Sequence, residues 1–226
     1  MGWSEWSRGA EVEPSIYAAD LARLEDDLAG LLDAGAKIFQ FDVGDGHFVE
    51  PITIGPIVLQ AISPLFRERS GILDVHLMVD NPEHHFEMFA KAGADNVTAH
   101  VQIVGDRVTE TAAHARALDL GFGLAVSPDT PVEEAAAHAA DIDLILVMGV
   151  HPGYSGQAFI PETTDRVRRL RELLPEEVAI QVDGGVGAEN VEELHDAGAT
   201  LFVAGSSVFD GVDPPSAYRR LAELLA

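Results

Sequence analysis

Lys37-Ile38-Phe39-Gln40-Phe41-Asp42-Val43-Gly44-Asp45-Gly46-His47 reads as an apolar strand that ends in a glycine turn. Successive strand side chains point to opposite faces, so Gln40 and Asp42 share one side while Phe39, Phe41 and Val43 take the other. A polar pair thus stands where a buried strand would carry Val or Ile. Gly44 and Gly46 permit a sharp exit through positive φ. A carboxylate at the end of such a strand points to chemistry rather than to packing.

Seven more apolar runs recur along the chain, each followed by a segment with helical spacing. With Lys37 to Val43 as the second, the others lie near Pro14 to Ala18, Leu73 to Val79, Asn96 to Val101, Gly121 to Val126, Leu144 to Val150, Val178 to Asp183 and Thr200 to Val208. Thr130-Pro131-Val132-Glu133 predicts a capping box with proline at the first helical position, and Asn81-Pro82 predicts another helix start. Ala-Gly-Ala precedes three of the strands, at residues 34–36, 92–94 and 197–199, where a glycine would close a helix. Eight β-α alternations predict a single-domain α/β protein with a (β/α)8 TIM-barrel fold over residues 13–226, after an N-terminal extension of residues 1–12. A doubly wound open sheet is the alternative, weakened because no Gly-rich dinucleotide fingerprint follows the first strand.

In such barrels the active site lies at the C-terminal strand ends, where this sequence becomes polar. Ser15 and Tyr17 share a face of the first run, Gln40 and Asp42 of the second, Asp74, His76 and Met78 of the third, His100 and Gln102 of the fourth, and Gln181 and Asp183 of the seventh. Asp42 and Asp183 stand on strands roughly across the barrel from one another. Two carboxylates on opposite faces of one carbon can invert a stereocentre, one removing a proton and the other returning it. The plainer reading is two aspartates capping nearby loops. A lone inward histidine such as His76 is more often a hydrogen-bonded core residue than a ligand. Beside Asp42 and Asp183, however, it suits one divalent metal ion, Zn, Mn, Co or Fe(II), which could polarise a carbonyl.

Glycine-rich turns follow the last three strands: His151 to Gln157, holding Gly153, Ser155 and Gly156; Asp183 to Gly187, holding Gly184 and Gly185; and Ala204 to Ser207, holding Gly205 and Ser206. After strands six to eight of a barrel, such turns commonly bind a phosphate through backbone N–H groups.

Composition narrows the partners. With 38 acidic against 14 basic residues the formal charge is −24, which argues against nucleic acid or an anionic membrane as the main partner. There is no cysteine, so disulfides, thiolate catalysis and cysteine-held metals are excluded. No run of about 18 apolar residues is present, and residues 1–12, with Trp3 and Trp6, lack a signal peptide's apolar run. A cytoplasmic protein is expected.

From Pro14 onward the chain resembles the ribulose-phosphate 3-epimerase family, (β/α)8 enzymes of pentose phosphate metabolism. The likeness is carried by Pro14-Ser15-Ile16, Asp42 to Phe48, Ile52 to Pro56, Asp74 to Val79, Pro152 to Phe159, Val182 to Val186 and Ala204 to Ser206. It implies interconversion of D-ribulose 5-phosphate and D-xylulose 5-phosphate through a metal-stabilised enediolate. Asp42 and Asp183 would be the acid/base pair and metal ligands, and His76 a further ligand near the substrate. Ser15 would contact the substrate and Met78 would wall the reacting carbon, while the glycine loops hold the phosphate of a small phosphorylated sugar. A homo-oligomer is also implied. Family members usually have a ligating His where Gln40 stands, Met at Gly44, Leu at Tyr17, Glu at Gln102 and Gln181, Pro-Asn at Glu50-Pro51, and Gly and Lys at Ser155 and Ala158. An amide oxygen ligates late first-row metals less well than imidazole, so Gln40 would lower affinity. Gly44 would open the substrate wall and Tyr17 would add a hydroxyl. Those departures keep two further readings in view, an epimerase or isomerase of a different phosphosugar and a non-catalytic phosphosugar-binding protein.

Overall fold

A computed structural model of the protein describes residues 9–154 and 156–226; Trp3, Trp6 and Ser155 lie outside the described residues. The strands are β1 (Glu11–Pro14), β2 (Ile38–Gly44), β3 (Ile72–Met78), β4 (Asn96–His100), β5 (Gly121–Val126), β6 (Leu144–Met148), β7 (Ala179–Asp183) and β8 (Leu201–Ala204). Each is followed by a principal helix: α1 (Leu24–Asp33), α2 (Pro56–Arg69), α3 (Phe86–Ala92), α4 (Val108–Ala117), α5 (Val132–Ala136), α6 (Thr163–Leu173), α7 (Val191–Asp196) and α8 (Pro214–Glu223). The strands form one parallel sheet in the order β1-β8-β7-β6-β5-β4-β3-β2. A single parallel bridge between Ser15 and Gln40 joins the two ends. The (β/α)8 barrel therefore closes through two residues of the polar strand ends.

The register of β2 is set by its outer face. Phe39 packs edge-on against Phe66 of α2 with ring centroids 4.9 Å apart, and Phe41 meets Phe89 of α3 at 6.3 Å. Both are fully buried, worth about 1.5–3 kcal/mol each. A one-residue slip would exchange the faces, so these rings hold Gln40 and Asp42 inward. The three Ala-Gly-Ala stops share one geometry, with φ of 106° at Gly35 and 109° at Gly93 and Gly198. In each, the following alanine N–H reaches back to close the helix end, as Ala36 does to the carbonyl of Leu31.

Some sequence expectations shift. The first strand lies upstream of Pro14 to Ala18, because Glu11 to Pro14 pair with Leu201 to Ala204 while Ile16–Ala18 turns into a 3₁₀ helix. The Ser15 N–H still donates to the Ala204 carbonyl at 3.0 Å, and the chain turns away from the sheet after it. Pro131 is the N-cap of α5 rather than its first helical residue and no side chain caps it, so Thr130 falls one position too early. Asn81-Pro82 opens a 3₁₀ turn ahead of α3. Inside the barrel, an apolar cluster including Ile38, Ile72, Leu144 and Leu146 fills part of the interior. Among the described residues no helix is long and apolar enough to cross a membrane.

Candidate active site

Above that apolar filling, the inward side chains form two polar layers. In the lower one, Gln181 donates both amide hydrogens, to Glu13 Oε2 and to Asp74 Oδ2, each at 2.7 Å. Asn96 donates to the other oxygen of Asp74 at 2.8 Å. All four are fully buried. Burial first, and Asp74's charge second, push the Glu13 carboxyl well above its ordinary range. Burial raises Asp74 as well.

The upper layer repeats this arrangement at the strand ends. Gln40 Nε2 donates to Asp42 Oδ1 at 3.0 Å and to Asp183 Oδ2 at 3.1 Å. Ser15 donates to the second oxygen of Asp42 at 2.7 Å. His76 Nδ1 lies 3.0 Å from Asp42 Oδ1 and 3.9 Å from Asp183 Oδ2. Asp42, His76 and Asp183 can each supply one donor atom within 4.8 Å of the others. The two aspartates therefore converge more tightly than their positions across the barrel suggested. Burial, then the Asp42 charge, push Asp183 well above the usual carboxylate range.

Behind His76 runs a chain of hydrogen bonds. His76 Nε2 meets His100 Nε2 at 2.9 Å, His100 Nδ1 meets Ser127 Oγ at 3.2 Å, and Gln102 donates to Ser127 at 2.8 Å. Burial, then His76, hold His100 well below its ordinary value, so it is neutral. With Ser127 donating inward, each link has one donor and one acceptor and the chain ends with His76 Nδ1–H on Asp42; with the tautomers reversed, His76 Nε2–H donates to His100 and His100 Nδ1–H to Ser127, which leaves the His76 Nδ1 lone pair free for a cation. Phe48 covers His100 with ring centroids 4.6 Å apart.

A cleft opens above this layer. Ser15, Tyr17, Asp42, Met78 and Asp183 line its floor and wall. Gly153, Gly156, Gly184, Gly185, Gly205 and Ser206 line it as well. His76 is fully buried and does not line the cleft; it reaches the opening through Asp42. At Gly185, where φ is 69°, a Cβ would come within 2.8 Å of the Phe159 backbone, so only glycine lets the two loops approach. Tyr154 also faces the cleft and donates to Glu50 at 3.1 Å, tying the β6–α6 loop to the β2–α2 loop.

The Asp45-Gly46-His47-Phe48 motif orders the β2–α2 loop and ties it to the loop after β3. Asp45 accepts the backbone N–H groups of His47, Phe48 and Asp80 at 2.8–2.9 Å. Burial opposes ionisation there, but those three donors prevail and hold its carboxyl low. Gly44 does not open the wall as expected. A Cβ there would lie 2.7 Å from the Pro51 carbonyl oxygen and 2.8 Å from Val49, so the loop itself fills the space. Thr53 locks that approach, accepting from Gly44 N–H at 2.7 Å and donating to the Asp42 carbonyl at 2.8 Å.

Two carboxylates and an imidazole nitrogen are donors that divalent first-row cations accept. Gln40 is different, because it turns N–H groups toward the carboxylates while its Oε1 is buried without a hydrogen-bond partner. As placed it is a donor, not a ligand. Sequence reasoning overlooked Glu13, which fell at the margin of the expected barrel, and the contact of His100 with His76, which only the barrel's curvature creates. The inward placement of His100 was the available signal, but Gln102, expected on the same strand face, lies exposed on the helical turn Val101–Val104 that follows the strand.

A model of the ribulose-phosphate 3-epimerase family matches residues 11–209. Ribulose-phosphate 3-epimerase 2 of Cupriavidus necator is 40% identical over 225 residues, covering 96% of this chain and 92% of the relative. Ribulose-phosphate 3-epimerase of Synechocystis sp. is 41% identical over 208 residues, with coverage of 90% and 89%. Among solved structures, KGPDC from Streptococcus mutans superposes with a TM-score of 0.70 at 14% identity, covering 96% and 97% of the two chains. A 3-hexulose-6-phosphate synthase gives 0.72 at 17%, with coverage of 96% and 100%. Those two likenesses concern the fold.

Proposed function

The chain belongs to the ribulose-phosphate 3-epimerase family, and from that premise we propose that it interconverts D-ribulose 5-phosphate and D-xylulose 5-phosphate. The observation that carries this reading is the convergence of Asp42 and Asp183 on the cleft floor beneath glycine-rich loops. As an epimerase the chain is an isomerase; the substrate and the roles below are what the geometry supports.

In the proposed reaction the phosphate is held by backbone N–H groups of the loops carrying Gly153, Ser155 and Gly156, Gly184 and Gly185, and Gly205 and Ser206. Such amides bind an anion without positive side chains, which suits a chain of charge −24. Anchoring the phosphate places the C2 ketone and the C3 hydrogen near the two aspartates, with Met78 against the carbon from the side. One aspartate enters ionised and removes the C3 proton, leaving an enediolate. The other enters protonated and gives its proton to the opposite face of C3, so the carbon is inverted and no atom is gained or lost. Asp183, raised by burial and by Asp42, is suited to enter as the acid, while Ser15 and His76 hold Asp42 through their hydrogen bonds. Roles reverse for the opposite direction. A divalent cation held by Asp42, His76 and Asp183 would supply Lewis-acid polarisation of the ketone.

Incubation with D-ribulose 5-phosphate in deuterated water tests this. The expected result is deuterium at C3 with formation of xylulose 5-phosphate. Uptake only with another ketose phosphate would favour a sister activity, a reading to which Tyr17 in the cleft wall gives substance. Absence of exchange with every ketose phosphate, with or without added cation, would leave a non-catalytic binder.

A further inference from the structure

Gln40 is fully buried at the point where the barrel closes, and its two amide atoms are treated oppositely by their surroundings. Nε2 gives one hydrogen to each aspartate, at 3.0 and 3.1 Å. Oε1 has no partner, an uncommon condition for a buried carbonyl oxygen. Half a turn about the last side-chain torsion exchanges the two atoms with almost no change of shape, since that torsion is broad and roughly two-fold. Turned this way, Oε1 would face two carboxylate oxygens. Three oxygens carrying negative charge repel one another unless a cation stands among them.

We propose that the Gln40 carboxamide is a two-position gate on the cation group. With Nε2 inward it neutralises the crowding of Asp42 and Asp183 by hydrogen bonds alone. With Oε1 inward it becomes a fourth ligand beside Asp42, His76 and Asp183. Admission of a cation then requires two hydrogen bonds to be given up, which weakens affinity. The resulting donor set is three oxygens and one nitrogen. Oxygen donors suit Mg²⁺ and Mn²⁺ whereas imidazole suits Zn²⁺, so the gate shifts the balance toward the oxygen-preferring ions relative to an imidazole at the same position. This inference rests on the cation group assigned above. Its test uses metal binding and not turnover, so it can fail while the epimerase reading stands, and the reverse.

The first measurement needs no variant. In chelator-treated, ¹⁵N-labelled protein the Gln40 side-chain NH₂ should resonate as a hydrogen-bonded pair, and titration with diamagnetic Mg²⁺ or Zn²⁺ should move both signals in step with binding. The second is competition between Mn²⁺, followed by electron paramagnetic resonance, and Zn²⁺. Gln40→His should change the Zn²⁺:Mn²⁺ affinity ratio at least tenfold in favour of Zn²⁺. Gln40→Glu, which has oxygen in both positions, should bind Mn²⁺ more tightly than wild type yet melt at lower temperature in chelator. Cation binding that leaves the Gln40 NH₂ signals unmoved would overturn the gate. So would an unchanged ratio in Gln40→His, or a failure of the wild-type chain to bind any divalent cation at millimolar concentration.

Discussion

Two carboxylate pairs stand one above the other inside this barrel, and each is bridged by a single glutamine amide. Below, Gln181 joins Glu13 to Asp74; above, Gln40 joins Asp42 to Asp183. The bridging chemistry is the same. What differs is access. All three lower residues are sealed, while the Asp183 side chain is 17% exposed and both upper aspartates line the cleft. The upper pair also has His76 and Ser15 as partners, where the lower has only amides and one another. A carboxylate pair becomes a candidate for catalysis through an opening and a set of orienting groups. Without them the same pair is a buried electrostatic load, eased by the Gln181 bridge although Glu13 Oε1 and Gln181 Oε1 are left without partners.

The comparison is broken most directly by removing one carboxylate from each layer. Asp183→Asn should lower turnover by about 10²–10⁴-fold, the usual contribution of a positioned acid or base, whereas Glu13→Gln should leave kcat within about threefold of wild type; steady-state assays decide. Deleting a bridge tests the other half. Gln181→Leu removes two hydrogen bonds to buried carboxylates and should cost about 3 kcal/mol or more, read as a lower urea midpoint.

A smaller effect follows from proton linkage. The folded-state affinity of Glu13 for its proton is raised above the ordinary value of 4.5, by burial first and by Asp74 second. Its contribution to stability is therefore complete below that value and is lost as pH rises through the folded value. Wild type should lose up to about 1.4 kcal/mol per pH unit across that window from this group. Glu13→Gln should flatten the slope and be relatively more stable at pH 8, as chemical denaturation at several pH values would show. The smallest effect belongs to the rim. Tyr154→Phe removes a solvent-exposed bond to Glu50, worth about 0.5 kcal/mol, and should raise KM about twofold with kcat unchanged.

Much of the upper layer was legible in the sequence, because strand alternation puts Gln40 with Asp42, Asp74 with His76, and Gln181 with Asp183 on inward faces. The glycine turns were legible for the same local reason, as a left-handed residue marks itself. In the lower layer Asp74 and Gln181 were legible in the same way but Glu13 and its pairing were not, since Glu13 precedes an apolar run and its partner Gln181 is 168 residues away; only barrel closure makes them neighbours. Gly44 misled in the opposite direction. A missing side chain suggests space, but the approach of Val49 and Pro51 filled it, and no local rule reports how a loop will fold back.

The central claim is that Asp42 and Asp183 act on opposite faces of one carbon, and isotope exchange with each variant separates the faces. Asp42→Asn and Asp183→Asn should each interconvert the epimers about 10²–10⁴-fold more slowly than wild type. Each should still exchange the C3 hydrogen of one epimer with deuterated water, and the two variants should choose opposite epimers. If both exchange the same epimer, or either interconverts them at close to the wild-type rate, the two-carboxylate account is wrong.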